Sequence, residues 1–433
     1  MKARIASALL CLSLACGTSG PADSPPELPA SNDSAYQIGR VGSYYLIGNE
    51  LTSGQDQLEI EVAAPSGTDN VDFWLGDRKG ERMSSLGGGS FGAVIDISEL
   101  EAGDHQLVLA TPGADEAFAV VEFKRTHPLY VVVSTDWDDP DNTNDSLELQ
   151  ETLHARHPEL KITHFVGPYT YTDPEVTDER KAFLTDWLLG MRDDFDDEIG
   201  LHIHPYCSYV ESAGLPCRTG PSTVYDAGDD TGYTVMCSAY EESELVTLFS
   251  HADEIFQANG LGKPTSFRAG GWTADLKVLR AMGQTGYVAD TSANNWQRME
   301  EWKGQANGEL YRWNQENWAT IGDTSQPYYP DNDNILQTGP NPIPVLEVPD
   351  NGILVDYVTA EEMIEIFEAN WPRHQALSQP VNYSIGWHPT NFNREYRDRM
   401  DDTMDYLDQY LASSHDGPVV YETLTNMTVV WPQ

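Results

Sequence analysis

Basic residues are scarce in this chain. It has 25 Lys and Arg against 69 Asp and Glu, a formal net charge of −44 over 433 residues. Nucleic acid is thereby excluded as a partner, because phosphate binding needs clustered cations. Charge-driven docking onto an anionic bilayer is excluded for the same reason. The acidity reads as a strongly solvated surface. Cysteine is scarce too, at five residues, and the spacing of Cys207, Cys217 and Cys237 fits no zinc cluster. Those three thiols allow one disulfide with one left over, and the sequence does not choose the pair. Beyond the leader no long apolar run exists, so no spanning helix is expected in the mature chain. What is present is ample core material: 40% hydrophobic and 10% aromatic residues, enough for two folded units and a tail.

The leader has its own pattern. Lys2 and Arg4 precede the apolar run from Ile5 to Ala15, which is too short to span a bilayer and reads as a secretory signal. It ends in Ser13-Leu14-Ala15-Cys16, similar to a bacterial lipoprotein box with Cys16 as the lipidated residue. Residues 1–16 are thus expected to be a lipoprotein-type signal. The protein would be exported and held on a bacterial membrane, facing the periplasm or the cell surface, only through a lipid anchor. Residues 17–35, rich in Ser, Pro, Gly and Asp, read as a flexible tether.

From 36 to 126 the pattern is short and alternating. Tyr44–Ile47, Leu58–Val62, Val71–Leu75, Ala93–Ile97, His105–Leu109 and Ala117–Phe123 are strand candidates between Gly- and Asp-rich turns. Six or so strands in this length predict an immunoglobulin-like sandwich. After His127 the rhythm changes. Leu129–Ser134, Ile162–Val166, Glu198–His204, Thr265–Arg268, Tyr287–Asp290, Val345–Val348 and Asn382–Trp387 are strand candidates with helical stretches between many of them. That alternation predicts parallel βαβ units and a distorted (β/α)7-type barrel over 127–433. Residues about 210–235 and 293–342 lack periodicity and read as long insertions. The whole is an α/β barrel preceded by a small all-β sandwich, expected to be a monomer.

Polar residues gather at the C-terminal ends of the predicted barrel strands, where such a fold builds its site. His202 and His204 are two apart on a strand and so share a face, the geometry of two imidazoles on one divalent cation. Asp136 and Asp138 can divide labour, one carboxylate held by the cation and the other acting as base. Arg268 can fix a carboxylate through paired donors. Asp290 can orient His388, which when protonated is a suitable general acid. Singly, each of these residues is more often structural; the case is the ensemble.

The ordered set resembles the motifs of the polysaccharide deacetylase (NodB-homology) family. The resemblance rests on Thr135-Asp136-Trp137-Asp138, Gly200-Leu201-His202-Ile203-His204-Pro205, Phe267-Arg268-Ala269-Gly270-Gly271, Asp290-Thr291-Ser292 and Gly386-Trp387-His388-Pro389, over about 129–425. It implies a distorted β/α barrel that hydrolyses N- or O-acetyl groups of a polysaccharide with a divalent metal ion, zinc first. By that resemblance Asp136 is the base, and Asp138, His202 and His204 hold the metal. Arg268 orients Asp136, Asp290 tunes the acid His388, and Trp387 and Trp272 contact substrate. Three positions depart from the family pattern. Tyr206 stands where the second metal histidine is usual, Trp137 separates the two acids so that Asp139 competes with Asp138, and Gly270 replaces a proline. A rival reading is a carbohydrate-binding surface lipoprotein that has lost catalysis. A third is a metal hydrolase of a non-sugar amide or ester.

Overall fold

A computed structural model describes residues 20–220, 224–226, 233–299 and 309–433. The signal and the proposed anchor at Cys16 lie outside the described residues. The chain divides into two compact units. One holds Gln57–Ile97 and Asp104–Phe123 with the residues up to Val41; the other holds Gly42–Asp56, Ser98–Gly103 and Lys124–Gln433. The division interleaves, because 42–56 joins the larger unit instead of the single cut near 126 that the sequence pattern suggests.

The smaller unit is all-β and carries antiparallel sheets. In one, Gln57–Ala63 pairs antiparallel with Ser90–Asp96 over its full length. Strict alternation places Leu58, Ile60 and Val62 inside and their charged neighbours outside. In the other, Asp72–Leu75 pairs antiparallel with the 107–110 stretch. Five of the six foreseen strands lie in this unit and Tyr44–Leu46 falls in the larger one; the short strands Gln37–Ile38, Glu81–Arg82 and Ser84–Gly87 are added.

The larger unit is built on a curled, wholly parallel sheet. Its strands are β1 (Leu129–Asp136), β2 (Ile162–Val166), β3 (Glu198–Ile203), β4 (Ser266–Ala269), β5 (Ala289–Asp290), β6 (Leu346–Glu347), β7 (Val381–Trp387) and β8 (Val419–Tyr421). The order across the sheet is β6-β5-β4-β3-β2-β1-β7, with β8 also paired to β1. Every residue of β1 is buried. That is why it reads as a continuous apolar run and not as an alternating one: a parallel strand covered on both faces has no solvent side. The strand β8 was not foreseen, since three residues give too little periodicity.

Helices follow the strands with standard starts. Asn144–Arg156 is capped by the Thr143 side chain, Asp178–Phe195 by Thr177, and Ala360–Asn370 by a Thr359/Glu362 capping box. The helix Glu242–Ala258 buries Leu245, Leu248, Phe249, Ala252 and Phe256, the face its spacing predicts. The helix Arg394–Leu407 buries Met400, Met404 and Leu407.

One stretch deals with both edges of the sheet. After β6 pairs with β5, the chain runs straight on to β7. There the Gly352 N–H reaches Ser384 O and the Val355 N–H reaches Gly386 O, each at 2.8 Å. Residues 346–355 thus link the first strand of the order to the last. Gly386 makes close approach possible, since a Cβ there would lie 2.2 Å from Ser134 O on β1. In the first expected insertion, Cys207 and Cys217 form a disulfide, and Cys237 is buried and unbridged. The second insertion carries the helix Glu309–Asn317.

Candidate metal centre and acid–base pair

The strand register assembles the site. β1, β3 and β4 bring Asp136, His202 and Arg268 to one end of the sheet, and His388 follows β7. Immediately after β1 the chain turns, and Asp138 comes to lie opposite the two imidazoles. His202 Nε2 is 3.0 Å and His204 Nε2 3.1 Å from the same oxygen, Asp138 Oδ1. The three ligand atoms lie within 4.8 Å of one another. Asp139 turns aside and bonds to Thr390. Of the two acids, Asp138 is the one grouped with the imidazoles.

The hydrogen bonding of His202 tests the donor set. Its Nδ1 lies 2.9 Å from the Arg268 carbonyl oxygen. A carbonyl only accepts, so Nδ1 carries the proton, and in a neutral ring Nε2 is then a bare lone pair. That lone pair faces a carboxylate oxygen. Two acceptors at this separation repel unless a cation or a proton sits between them. The backbone carbonyl thus sets the tautomer that a metal-binding histidine requires, and two imidazoles with one carboxylate suit a divalent ion. His204 is held differently. A Cβ at Gly270 would lie 2.6 Å from its ring, so the glycine that replaces the family's proline is what leaves His204 room. Tyr206, at the place of the missing histidine, is exposed and stacks edge-on with Tyr169 at 4.7 Å.

Asp136 is buried, and Arg268 Nη1 donates to its Oδ1 at 2.9 Å. Arg268 is itself fully enclosed. Its Nε donates to Thr291 O at 3.1 Å, and its second amino group lies 3.4 Å from Asp350 Oδ2. Burial works against its charge, but Asp136 and Asp350 raise its pKa above the ordinary value.

His388 sits with Nε2 3.7 Å from Asp138 Oδ2 and Nδ1 3.1 Å from Asp356 Oδ2. Burial alone would discharge the ring. The charges of Asp356, Asp138 and Asp136 outweigh it and lift the pKa to about 10. Asp138 responds in the opposite sense: burial opposes its charge, yet His204, His388 and His202 hold it well below the ordinary carboxylate range.

Here the structure corrects the sequence reading. Asp290 does not meet His388; the carboxylate on Nδ1 is Asp356. Asp290 lies fully buried beside its register partner Glu347 and accepts from Ser292 Oγ at 2.8 Å. Burial raises Asp290 to about 6 and pushes Glu347, facing the Asp290 charge, far higher. The two acids form an interior pair between β5 and β6, apart from His388. Asp356 had a visible signal. Ile353-Leu354-Val355 is an apolar run ending in an acid, the same pattern as the strand ends. Trp387 has no solvent-accessible surface and stacks on Phe392 at 4.8 Å, so it offers no face to a substrate. Trp272 lies next to the site, its ring 6.5 Å from that of His388.

No family profile matches the chain, and no curated protein does. Among solved structures it is similar to a Mycobacterium smegmatis chain described as a polysaccharide deacetylase. The two share 11% identity over 69% of this chain and 88% of that one, at a TM-score of 0.40. It is similar to a family 4 carbohydrate esterase from Streptomyces lividans in complex with acetate, at 8% identity, 70% and 96% coverage and a TM-score of 0.34. A family 4 acetyl xylan esterase from Clostridium thermocellum in complex with cobalt is similar at 11% identity, 69% and 90% coverage and a TM-score of 0.31. All three likenesses are remote. The functional reading below stands on the side chains.

Proposed function

We propose that the larger unit is a metal-dependent deacetylase that hydrolyses N- or O-acetyl groups of a cell-surface or extracellular polysaccharide. One observation carries the reading: two imidazole nitrogens converge on a single Asp138 oxygen while a backbone carbonyl holds His202 in its metal-binding tautomer. Asp138, His202 and His204 would hold a divalent ion, with zinc the first candidate for this donor set. Bound there, such an ion supplies Lewis-acid polarisation of the acyl carbonyl and a lowered pKa for attacking water.

The chain's own groups do the proton work. Asp136, fixed by Arg268, takes a proton from the attacking water. His388, protonated at neutral pH and oriented by Asp356, gives a proton to the departing nitrogen or oxygen. Acetate and the free amine or hydroxyl are the products. The reading extends to a (β/α)7-type barrel, an immunoglobulin-like smaller unit, and export with lipidation at Cys16.

Tyr206, at the place of the expected second histidine, motivates the alternative of a carbohydrate-binding lipoprotein without catalysis. Metal analysis of the purified chain, with acetate release measured on acetylated chitin fragments and peptidoglycan, separates the two. Metal together with acetate supports the deacetylase. Tight glycan binding with neither overturns it.

A further inference from the structure

Asp350 has no role in the chemistry described above, yet it touches both walls of the site. It is completely buried, on the stretch that links β6 to β7. Its Oδ2 accepts from Trp272 Nε1 at 3.1 Å and lies 3.4 Å from Arg268 Nη2. Through Nη1 the same guanidinium holds Asp136 at 2.9 Å. The main chain that carries it is held in place, since the Asp350 N–H bonds to Ala293 O at 2.9 Å.

Trp272 makes the arrangement more than a buried ion pair. Its φ is +56°, in the left-handed region. A bulky side chain adopts that conformation only where its surroundings hold it there, and such residues gather at functional sites. Two bonds hold this one: the indole N–H to Asp350, and the Trp272 carbonyl accepting from Trp318 Nε1 at 2.9 Å. The result is a ring set 6.5 Å from His388 and 5.8 Å from Tyr357.

We propose that Asp350 is a positioning residue for the reaction: one of its carboxylate oxygens sets Arg268 against the base Asp136 and fixes the Trp272 ring beside the acid His388. This rests on the deacetylase reading of the site. A carboxylate serves where a neutral acceptor would not, because Arg268 brings a buried charge and Asp136 alone leaves its other amino group without an anion. The planar fork of the guanidinium then has both ends fixed, which gives Asp136 one orientation instead of several.

The test uses the full chain loaded with zinc. In Asp350→Ala, kcat is expected to fall about tenfold or more, with KM within about threefold of wild type, the pattern of a lost transition-state contact. Bound zinc should be unchanged. Asp350→Asn keeps an acceptor but loses the charge, and its kcat should fall about fivefold; it decides the matter if the alanine variant does not fold. Unchanged kcat in the folded variants overturns the proposal. Crystal structures of the same variants give a second readout that needs no turnover. Arg268 released from Asp136, or Trp272 relaxed out of its left-handed conformation, supports the role; both contacts intact overturns it. If the wild-type protein releases no acetate from any acetylated substrate, the deacetylase reading fails, and the crystallographic comparison alone decides what Asp350 holds.

Discussion

Among the described residues, two groups of imidazoles and carboxylates have donor atoms close enough to share a cation, and they are built in opposite ways. Around Asp138, two imidazoles face one half-exposed carboxylate, and no lysine or arginine neutralises it. Around His157, the ring bridges two carboxylates, Asp401 at 3.0 Å and Asp408 at 2.7 Å. Arg156 pairs with Asp401 and reaches Asp405 at 3.5 Å. The second group has its cations built in: Arg156 lies against Asp401 and Asp405, the His157 ring against Asp401 and Asp408, and both ring nitrogens are in use. It ties the C-terminal end of the helix Asn144–Arg156 to the helix Arg394–Leu407, where a positive ring also suits the helix end. Proximity of ligand types therefore does not define a metal site. What distinguishes the first group is that two imidazoles turn on one oxygen of a single carboxylate, while the cation beside it, His388, approaches the other oxygen at 3.7 Å, and that one imidazole has its tautomer fixed from behind.

The contrast breaks most sharply at Asp138. Asp138→Ala should abolish stoichiometric metal in elemental analysis and deacetylase activity with it. Arg156→Ala should leave metal content and kcat at wild-type levels. Metal retained in the first variant would place the ion elsewhere. Next come the proton-transfer groups. Asp136→Asn, His388→Ala and Asp356→Asn should each keep the metal and lower kcat by about 10²–10⁴-fold. Turnover unchanged in any of them removes that residue's role. Gly270→Ala follows, because the added methyl drives the His204 ring from its place. Metal affinity by competition with a chelator should weaken by about 10–100-fold, while an alanine at the open Gly322 should change nothing.

The smallest effect belongs to the second group. Burial opposes the His157 charge, but hydrogen bonds to Asp408 and Asp401 raise its pKa above the ordinary value. A group raised on folding stabilises fully below its unfolded pKa, about 6.5, and less as pH rises through the folded value. His157→Gln should therefore cost about 1–3 kcal/mol at pH 6. The difference from wild type should shrink at alkaline pH in denaturant titrations. A penalty independent of pH would show that packing, not charge, holds the two helices there.

Much of this was legible in the sequence. Seven of the eight parallel strands of the larger unit announce themselves as apolar runs between turn residues. The chemistry at their ends follows from position. Asp356 and Asp350 were not legible in the same way. They lie on a connecting stretch with little regular structure, and which acid meets His388 depends on where that stretch crosses β7. Asp290 shows the reverse error. It ends a strand as an active-site acid should, yet it lies fully buried beside its strand neighbour Glu347, away from His388. The choice between Asp138 and Asp139 depended on a turn whose direction no periodicity encodes.

The ten residues from Leu346 to Val355, extended by one to Asp356, carry Glu347, Asp350 and Asp356 to three different addresses. Their spacing is a ruler: the seam between the outermost strands fixes where each acid is delivered. A one-residue insertion or deletion there would misplace the partners of Asp290, Arg268 and His388 together. Relatives that keep this chemistry should therefore hold the count constant from Leu346 to Asp356.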